Sequence, residues 1–201
     1  MSVTKSNSTR FNRKTPFNKL KHGNESVLVK KSKEGDRDAF GELYMKYLDP
    51  IYRYIFFRVN QNREEAEDLA EIVFFKAWEH IKRYHANGKT IKPWLYTIAH
   101  NTIIDHWRRN RRYTRLDPSI EDPNGDFERA LSNRGDNEKL FEAVNKLTDG
   151  QKQVIILKFI EGLSNKELET ILNKRPDAVR ALQSRALKQL RKLLTKTYED
   201  S

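Results

Sequence analysis

This chain of 201 residues contains no cysteine, so it can build neither a disulfide framework nor a thiolate metal site. Its histidines, His22, His80, His85, His100 and His106, include no pair at HxH or HxxxH spacing, and a zinc site is not expected. No apolar run approaches the ~18 residues of a membrane span. Residues 1–24 lack the apolar middle of a secretory leader. By elimination the expectation is a cytoplasmic protein without a cofactor. Acid is scarce relative to base: 39 Lys and Arg face 28 Asp and Glu, a formal charge of +11. Such an excess favours a polyanionic partner and salt-sensitive binding.

What is present is helical period. Residues 1–24 carry Lys5, Arg10, Arg13, Lys14, Lys19 and Lys21, no acid and no periodicity, and read as a disordered basic arm. From residue 25 to 112 apolar residues recur at threes and fours, as in Phe40, Leu43, Tyr44, Tyr47 and Leu48, then Ile51, Tyr54, Ile55 and Val59. This spacing predicts amphipathic helices. Leu69, Ile72, Val73, Lys76 and Ala77 mark another. Gly35, Pro50, Asn60 to Asn62 and Ala86 to Gly88 are the expected breaks. Residues 113–137 change character, with two Asp-Pro pairs. The stretch from Leu116 to Glu138 holds seven acids against two arginines, and it reads as a flexible acidic linker. Residues 138–198 return to helical period. The fold class expected is therefore all-α, two small helical domains joined by that linker.

The segment WLYTIAHNTIIDHWRRNRR, Trp94 to Arg112, is the most informative. On a helix, Leu95, Ile98, Ala99, Thr102 and Ile103 share one face that can dock on a core. Asn101, Asp105, Arg108 and Arg112 line a neighbouring face. One apolar side and one Asn/Arg side suit a helix held from behind against an anion, with nucleic acid the obvious candidate. Near the C-terminus, Gly162 ends one helix and Ser164 with Glu167 has capping-box spacing. Asn173 suits a left-handed turn, and Pro176 sits in the first turn of a second helix. Val179, Leu182, Ala186, Leu190 and Leu193 form its inner stripe, while Arg180, Ser184, Arg185, Lys188 and Arg191 fall mostly outside it. Two short helices with a basic second one form the helix-turn-helix pattern; a simple helical hairpin has the same period.

With these segments in view, the chain resembles the sigma-70 family of RNA polymerase factors, in the short extracytoplasmic-function (ECF) form that keeps only the second and fourth conserved regions. EAEDLAEIVFFKAWEHI, Glu65 to Ile81, resembles the family's core-binding helix, usually written near DAEDLVQETFLRAW. WLYTIAHNTIIDHWRR resembles its promoter −10 helix, near WLYRIARNxxxDxxRR. The segment from Leu147 to Leu194 resembles its −35-binding module. The resemblance covers residues 25–112 and 138–196.

It implies a non-enzymatic initiation factor, a monomer when free, whose partners are core RNA polymerase, promoter DNA and, as is common in the family, an anti-sigma factor. Glu67, Asp68, Leu69, Glu71, Phe74 and Trp78 fall on the polymerase-gripping helix; Leu69, Phe74 and Trp78 can equally be core. Lys82 to Lys92 reads as a basic loop. In the family this loop and the next helix melt the −10 element and capture an extruded base, using residue types such as Tyr84, Trp94, Tyr96 and Asn101. Trp94 and Tyr96 also suit a core. Asp105, Arg108, Arg109 and Arg112 continue that surface, the arginines toward phosphates. Lys158, Arg175, Arg180, Ser184, Arg185 and Lys188 match DNA-facing positions of the −35 module, with Lys174 a further phosphate contact in the turn. The acidic linker is either a threading element in the RNA exit path or a solvated tether. Three departures stand out: Ile72 replaces a usual acid, Glu169 a usual alanine, and Leu182-Gln183 a commoner Arg-Leu. The alternative is a stand-alone helix-turn-helix regulator that binds duplex DNA as a dimer; a hydrolase would need paired carboxylates near Glu67 and Asp68 holding a metal.

Overall fold

The computed structural model describes residues 25–85, 90–116, 140 and 142–199, with backbone alone at 111–116 and 196–199. The basic arm, the predicted break at Ala86 to Gly88 and most of the acidic linker lie outside the described residues. Helix α1 spans Glu25–Lys33, α2 Arg37–Arg58, α3 Arg63–His80, and a short 3-10 turn covers Ile81–Arg83. Helix α4 spans Lys92–Leu116, α5 Asp149–Ile155, a π-helical turn Ile156–Ile160, α6 Asn165–Leu172 and α7 Pro176–Glu199. Among the described residues there is no strand, as an all-α chain requires.

Local chemistry sets the boundaries. Asp36 caps α2 by accepting from the backbone N–H groups of Asp38 and Ala39, each at 3.0 Å. Asn62 caps α3 through the N–H of Glu65 at 3.1 Å, after Asn60 and Gln61 turn the chain at φ 51° and 67°. The expected break at Pro50 does not occur: α2 runs through it. Tertiary packing overrides the proline there, since Tyr47, Ile51, Tyr54 and Ile55 are all buried and hold the two halves on one core. At the other end of the N-terminal module, α4 continues to Leu116, into the predicted linker.

In the C-terminal module the sequence signals are realised directly. Ser164 and Glu167 form a reciprocal capping box, with the Glu167 carboxylate accepting from Ser164 N–H at 2.7 Å. Asn173 closes α6 in the left-handed region at φ 48°, ψ 50°. The unforeseen element is the π-turn, in which Glu161 N–H donates to Ile156 C=O at 2.9 Å, five residues back.

Helices α1 to α4 enclose one apolar core built from Leu43, Ile51, Tyr54, Leu69, Val73, Leu95, Ala99 and Ile103. The core does not stop at that module. Val154, Ile156, Leu157, Leu163, Leu168 and Ile171 belong to the same continuous cluster, and α6 packs against α4. A smaller cluster of Val144, Leu147, Ile155 and Ala186 holds α7.

Candidate nucleic-acid interface

The acidic helix α3 divides cleanly. Glu67, Asp68 and Glu71 are exposed, and Arg63 pairs with Glu67 at 2.9 Å one turn away. Leu69 and Phe74, read from sequence as candidate partner contacts, are core residues at 1% and 5% exposure. They lie on the α3 stripe that faces α2, where Phe74 meets the Tyr44 ring edge-on at 4.7 Å. Trp78 is half-buried against Phe40 at 5.1 Å. The apolar side chains that α3 presents outward are Ile72 and Phe75, the latter 62% exposed. Adjacent residues on a helix point about 100° apart, so the Phe74-Phe75 doublet extends past the buried stripe of Leu69, Val73 and Phe74 and puts Phe75 outside it.

Helix α4 carries two stripes with different fates. Asn101, Arg108 and Arg109 are exposed and Asp105 is half-exposed, with Arg108 held at 3.5 Å from Asp105. Arg112 lies on the same helix, where only backbone is described. Thr102, by contrast, is fully buried and accepts from Lys76 Nζ at 3.1 Å. The aromatics expected to capture a base are inside. Tyr84 is 8% exposed, packs on Trp94 at 5.0 Å and donates to Thr90 C=O. Tyr96 is fully buried and meets Tyr54 edge-on at 5.4 Å. Neither can stack on a base in this arrangement, because both side chains are buried in protein. Burial, and then its bond to Glu161, push the Tyr96 phenol far above its ordinary pKa.

The group covering Tyr96 is the C-terminal module, and its contact there is largely polar. The Glu161 carboxylate, 2% exposed, accepts from Arg53 Nε at 2.7 Å and Nη2 at 3.2 Å, and from Tyr96 OH at 2.6 Å. The Glu161 carbonyl accepts from Lys92 Nζ at 2.6 Å. Arg58 Nη1 donates to Asp149 C=O at 3.0 Å while its guanidinium stacks 4.7 Å over Trp107. Gln153 Nε2 donates to Tyr54 OH at 3.1 Å and meets His100 Nδ1 at 2.5 Å. Lys152 donates to Asn60 at 3.1 Å. Of these residues the sequence singled out Tyr54, Asn60, Lys92, Tyr96 and His100, none of them for a contact between the modules. Long-range pairing leaves no periodic mark.

On the C-terminal module, Arg175, Arg180, Ser184, Arg185 and Lys188 are exposed, and Lys158 is half-exposed. Arg180 pairs with Asp177 at 2.6 Å, and the Gln183 amide donates to Asn165 at 2.9 Å, tying α7 to α6. The basic face of α7 is thus open while α6 and the π-turn are docked. Among the described residues no group of His, Asp and Glu is placed to hold a metal, and no helix is long and apolar enough to cross a membrane.

Residues 43–113 match the family model Sigma-70 region 2, and residues 137–190 match Sigma-70, region 4. The chain is 35% identical over 177 residues to the ECF RNA polymerase sigma factor BldN of Streptomyces coelicolor, covering 83% of this chain and 64% of that protein. It is 32% identical over 169 residues to the RNA polymerase sigma factor YlaC of Bacillus subtilis (82% of this chain, 96% of YlaC). It is 32% identical over 178 residues to the ECF RNA polymerase sigma factor SigW of the same organism (83% and 94%). It therefore spans less than two thirds of BldN and nearly all of YlaC and SigW. The fold is similar to that of the sigma factor RpoE in its complex with the anti-sigma factor NepR from Bartonella quintana, at a TM-score of 0.68 and 22% identity, covering 78% of this chain and 96% of that one. It is also similar to CnrH in complex with the cytosolic domain of CnrY, at a TM-score of 0.65 and 22% identity (86% and 97%). With both conserved regions matched in order and close relatives covered nearly end to end, the chain belongs to the sigma-70 family of RNA polymerase sigma factors, in its ECF group.

Proposed function

We propose that this protein directs promoter-specific transcription initiation by binding core RNA polymerase through α3, melting and reading the −10 element with α4 and the segment before it, and docking α7 on the −35 element. Membership of the family carries the overall function. The assignment of surfaces rests on one observation above all. The exposed Asn101, Arg108 and Arg109, with the half-exposed Asp105, share the outer side of a helix whose opposite side, Leu95, Ala99 and Ile103, is fully committed to the core. Glu67, Asp68 and Glu71, with Ile72 and Phe75 beside them, give α3 an acidic and partly apolar outer face suited to a protein partner. The exposed Arg180, Ser184, Arg185 and Lys188 give α7 the donors that base edges and phosphates require. The domain limits follow as a region 2 module at 25–112, a linker at 113–137 and a region 4 module at 138–198. The factor does no chemistry itself, works in the cytoplasm, and leaves phosphoryl transfer to the polymerase. An anti-sigma partner is consistent with the complexes in which the similar folds were solved.

Replacing Asn101 by Ala tests the −10 assignment. Permanganate reactivity of promoter thymines is expected to fall at least about tenfold, the order of a lost bidentate base contact, while binding to core polymerase stays within twofold. Equal loss of both would reject the role.

A further inference from the structure

The chain between the 3-10 turn and α4 leaves at Tyr84 and returns at Thr90. Both ends are held by one helix, α1, which lies ahead of the residues 43–113 that match the family model. At the leaving end, Lys33 Nζ donates to Tyr84 C=O at 2.8 Å. At the returning end, the Glu25 carboxylate divides its two oxygens between two elements. Oε1 accepts from Thr90 Oγ1 and from Ile91 N–H, each at 2.7 Å. Oε2 accepts from Lys46 and from Tyr47 OH, both on α2, the latter at 2.6 Å. Thr90 Oγ1 also accepts from the N–H of Lys92, the first residue of α4, at 3.3 Å. Across the neck, Tyr84 OH donates to Thr90 C=O at 3.3 Å. Glu25 and Lys33 are the first and last residues of α1, about 12 Å apart along its axis, so a single helix sets the spacing of both ends.

Holding α1 on the core does not require this arrangement. Leu28 and Val29 are buried and do that, through contacts that have no preferred direction. Four donors around one carboxylate are directional, and their partners must be fixed for the buried charge to be stable. The Ile91 N–H is among the donors that the start of a helix leaves without an internal partner, and an anion there is favoured by the α4 dipole. Glu25 thus fixes where α4 begins, and Asn101 is placed from that start. We infer that Glu25 and Lys33 are positioning residues for promoter opening: through Thr90, Ile91 and Tyr84 they hold both ends of the segment ahead of α4, and the start of α4 itself, in the geometry that engages the −10 element. The inference rests on the reading of α4 as the −10 helix. Neither residue needs to touch DNA. Without them the junction samples other arrangements, and apparent affinity falls with the fraction that is competent.

The test uses core polymerase carrying the full chain, titrated with fork-junction DNA that ends in a single-stranded −10 element and, separately, with duplex that carries only a −35 element. Glu25→Ala, Thr90→Val and Lys33→Met are each expected to weaken fork-junction binding about fivefold, as when roughly one chain in five keeps the competent geometry, with −35 duplex and core binding within about twofold. Thr90→Ser keeps the hydroxyl and is expected to keep the affinity. Asp36→Ala removes the cap of α2 in the same module without touching the junction; it controls for lost stability and should leave fork-junction binding unchanged. Lys33→Met should also leave the slope of log affinity against log salt unaltered, because its ammonium is engaged by a carbonyl and not by phosphate. In the free chain, amide hydrogen exchange at Ile91 should quicken at least about tenfold in Glu25→Ala. Unchanged fork-junction affinity in Glu25→Ala or Thr90→Val, loss of affinity in Thr90→Ser, or an equal loss in Asp36→Ala overturns the positioning role. A salt slope lowered by about one in Lys33→Met would make Lys33 a phosphate contact and overturn its part. Failure of the unsubstituted complex to bind the fork-junction DNA would instead reject the −10 reading of α4, and the exchange measurement, which uses neither DNA nor polymerase, would still decide whether Glu25 orders the junction.

Discussion

Protonating His100 would place a cation between Arg58 and Lys174, in a site already stripped of water. Burial first, and then those two positive neighbours, lower its pKa from 6.5 to about 4. The unfolded chain therefore takes up a proton between about pH 6.5 and 4 that the folded chain refuses. Stability is level above that window and falls as pH drops through it. Urea midpoints at pH 7 and pH 5 should show the loss, and His100→Asn should flatten the dependence. Glu25 acts lower on the scale. Burial alone would raise its carboxyl, but hydrogen bonds from Lys46, Tyr47, Thr90 and the Ile91 N–H outweigh that and hold it at about 2. Its stabilisation is present above pH 4.5 and is lost as the pH falls toward 2. This carboxylate ties the start of α1 to the chain just ahead of α4, at 2.7 Å to both Thr90 and Ile91, and its titration reports on that junction.

Single elements show what the sequence could and could not convey. The capping box at Ser164 and the left-handed Asn173 are encoded by the residues that form them, so local chemistry was enough to place α6. Ser164→Ala should cost about 1 kcal/mol in thermal or urea unfolding, with α7 left intact. The basic outer face of α7 was equally plain, because Arg180, Ser184, Arg185 and Lys188 follow one helical period. Arg180→Ala combined with Arg185→Ala should lower transcription from a promoter that depends on its −35 element, by run-off assay, and an unaltered transcript level would mean that α7 is turned the other way. Other features depend on distant neighbours. The apolar pattern of α3 named Leu69 and Phe74 but could not say whether a core or a partner receives them; the position of α2 decides it. Pro50 looks like a stop until the buried residues on either side are seen to share one core. Tyr84 and Tyr96 have the chemistry of a base pocket, yet the packing of α1 and of the C-terminal module turns them inward.

At the scale of the whole molecule, one apolar cluster runs through both modules, although the composition reads as two bodies and a tether. A shared core makes unfolding cooperative. Calorimetry should show a single transition for the unsubstituted chain. Glu161→Ala leaves Tyr96 and part of Arg53 without an acceptor, a loss of about 1–3 kcal/mol, and should separate the transition into two. One transition in both proteins would mean that the apolar contacts alone bind the modules together. The π-turn at Ile156–Ile160 gives this coupling an unusual relation to chain length. A turn bonded five residues back holds one residue more than an α-helical turn needs, and Glu161 stands directly after it. Removing a single residue there would let the turn relax to regular winding while Glu161 stayed aligned over Ile156. The same deletion in a regular helix would instead rotate everything beyond it by about 100°, so this one spot is where a change of chain length is expected to disturb the contact least.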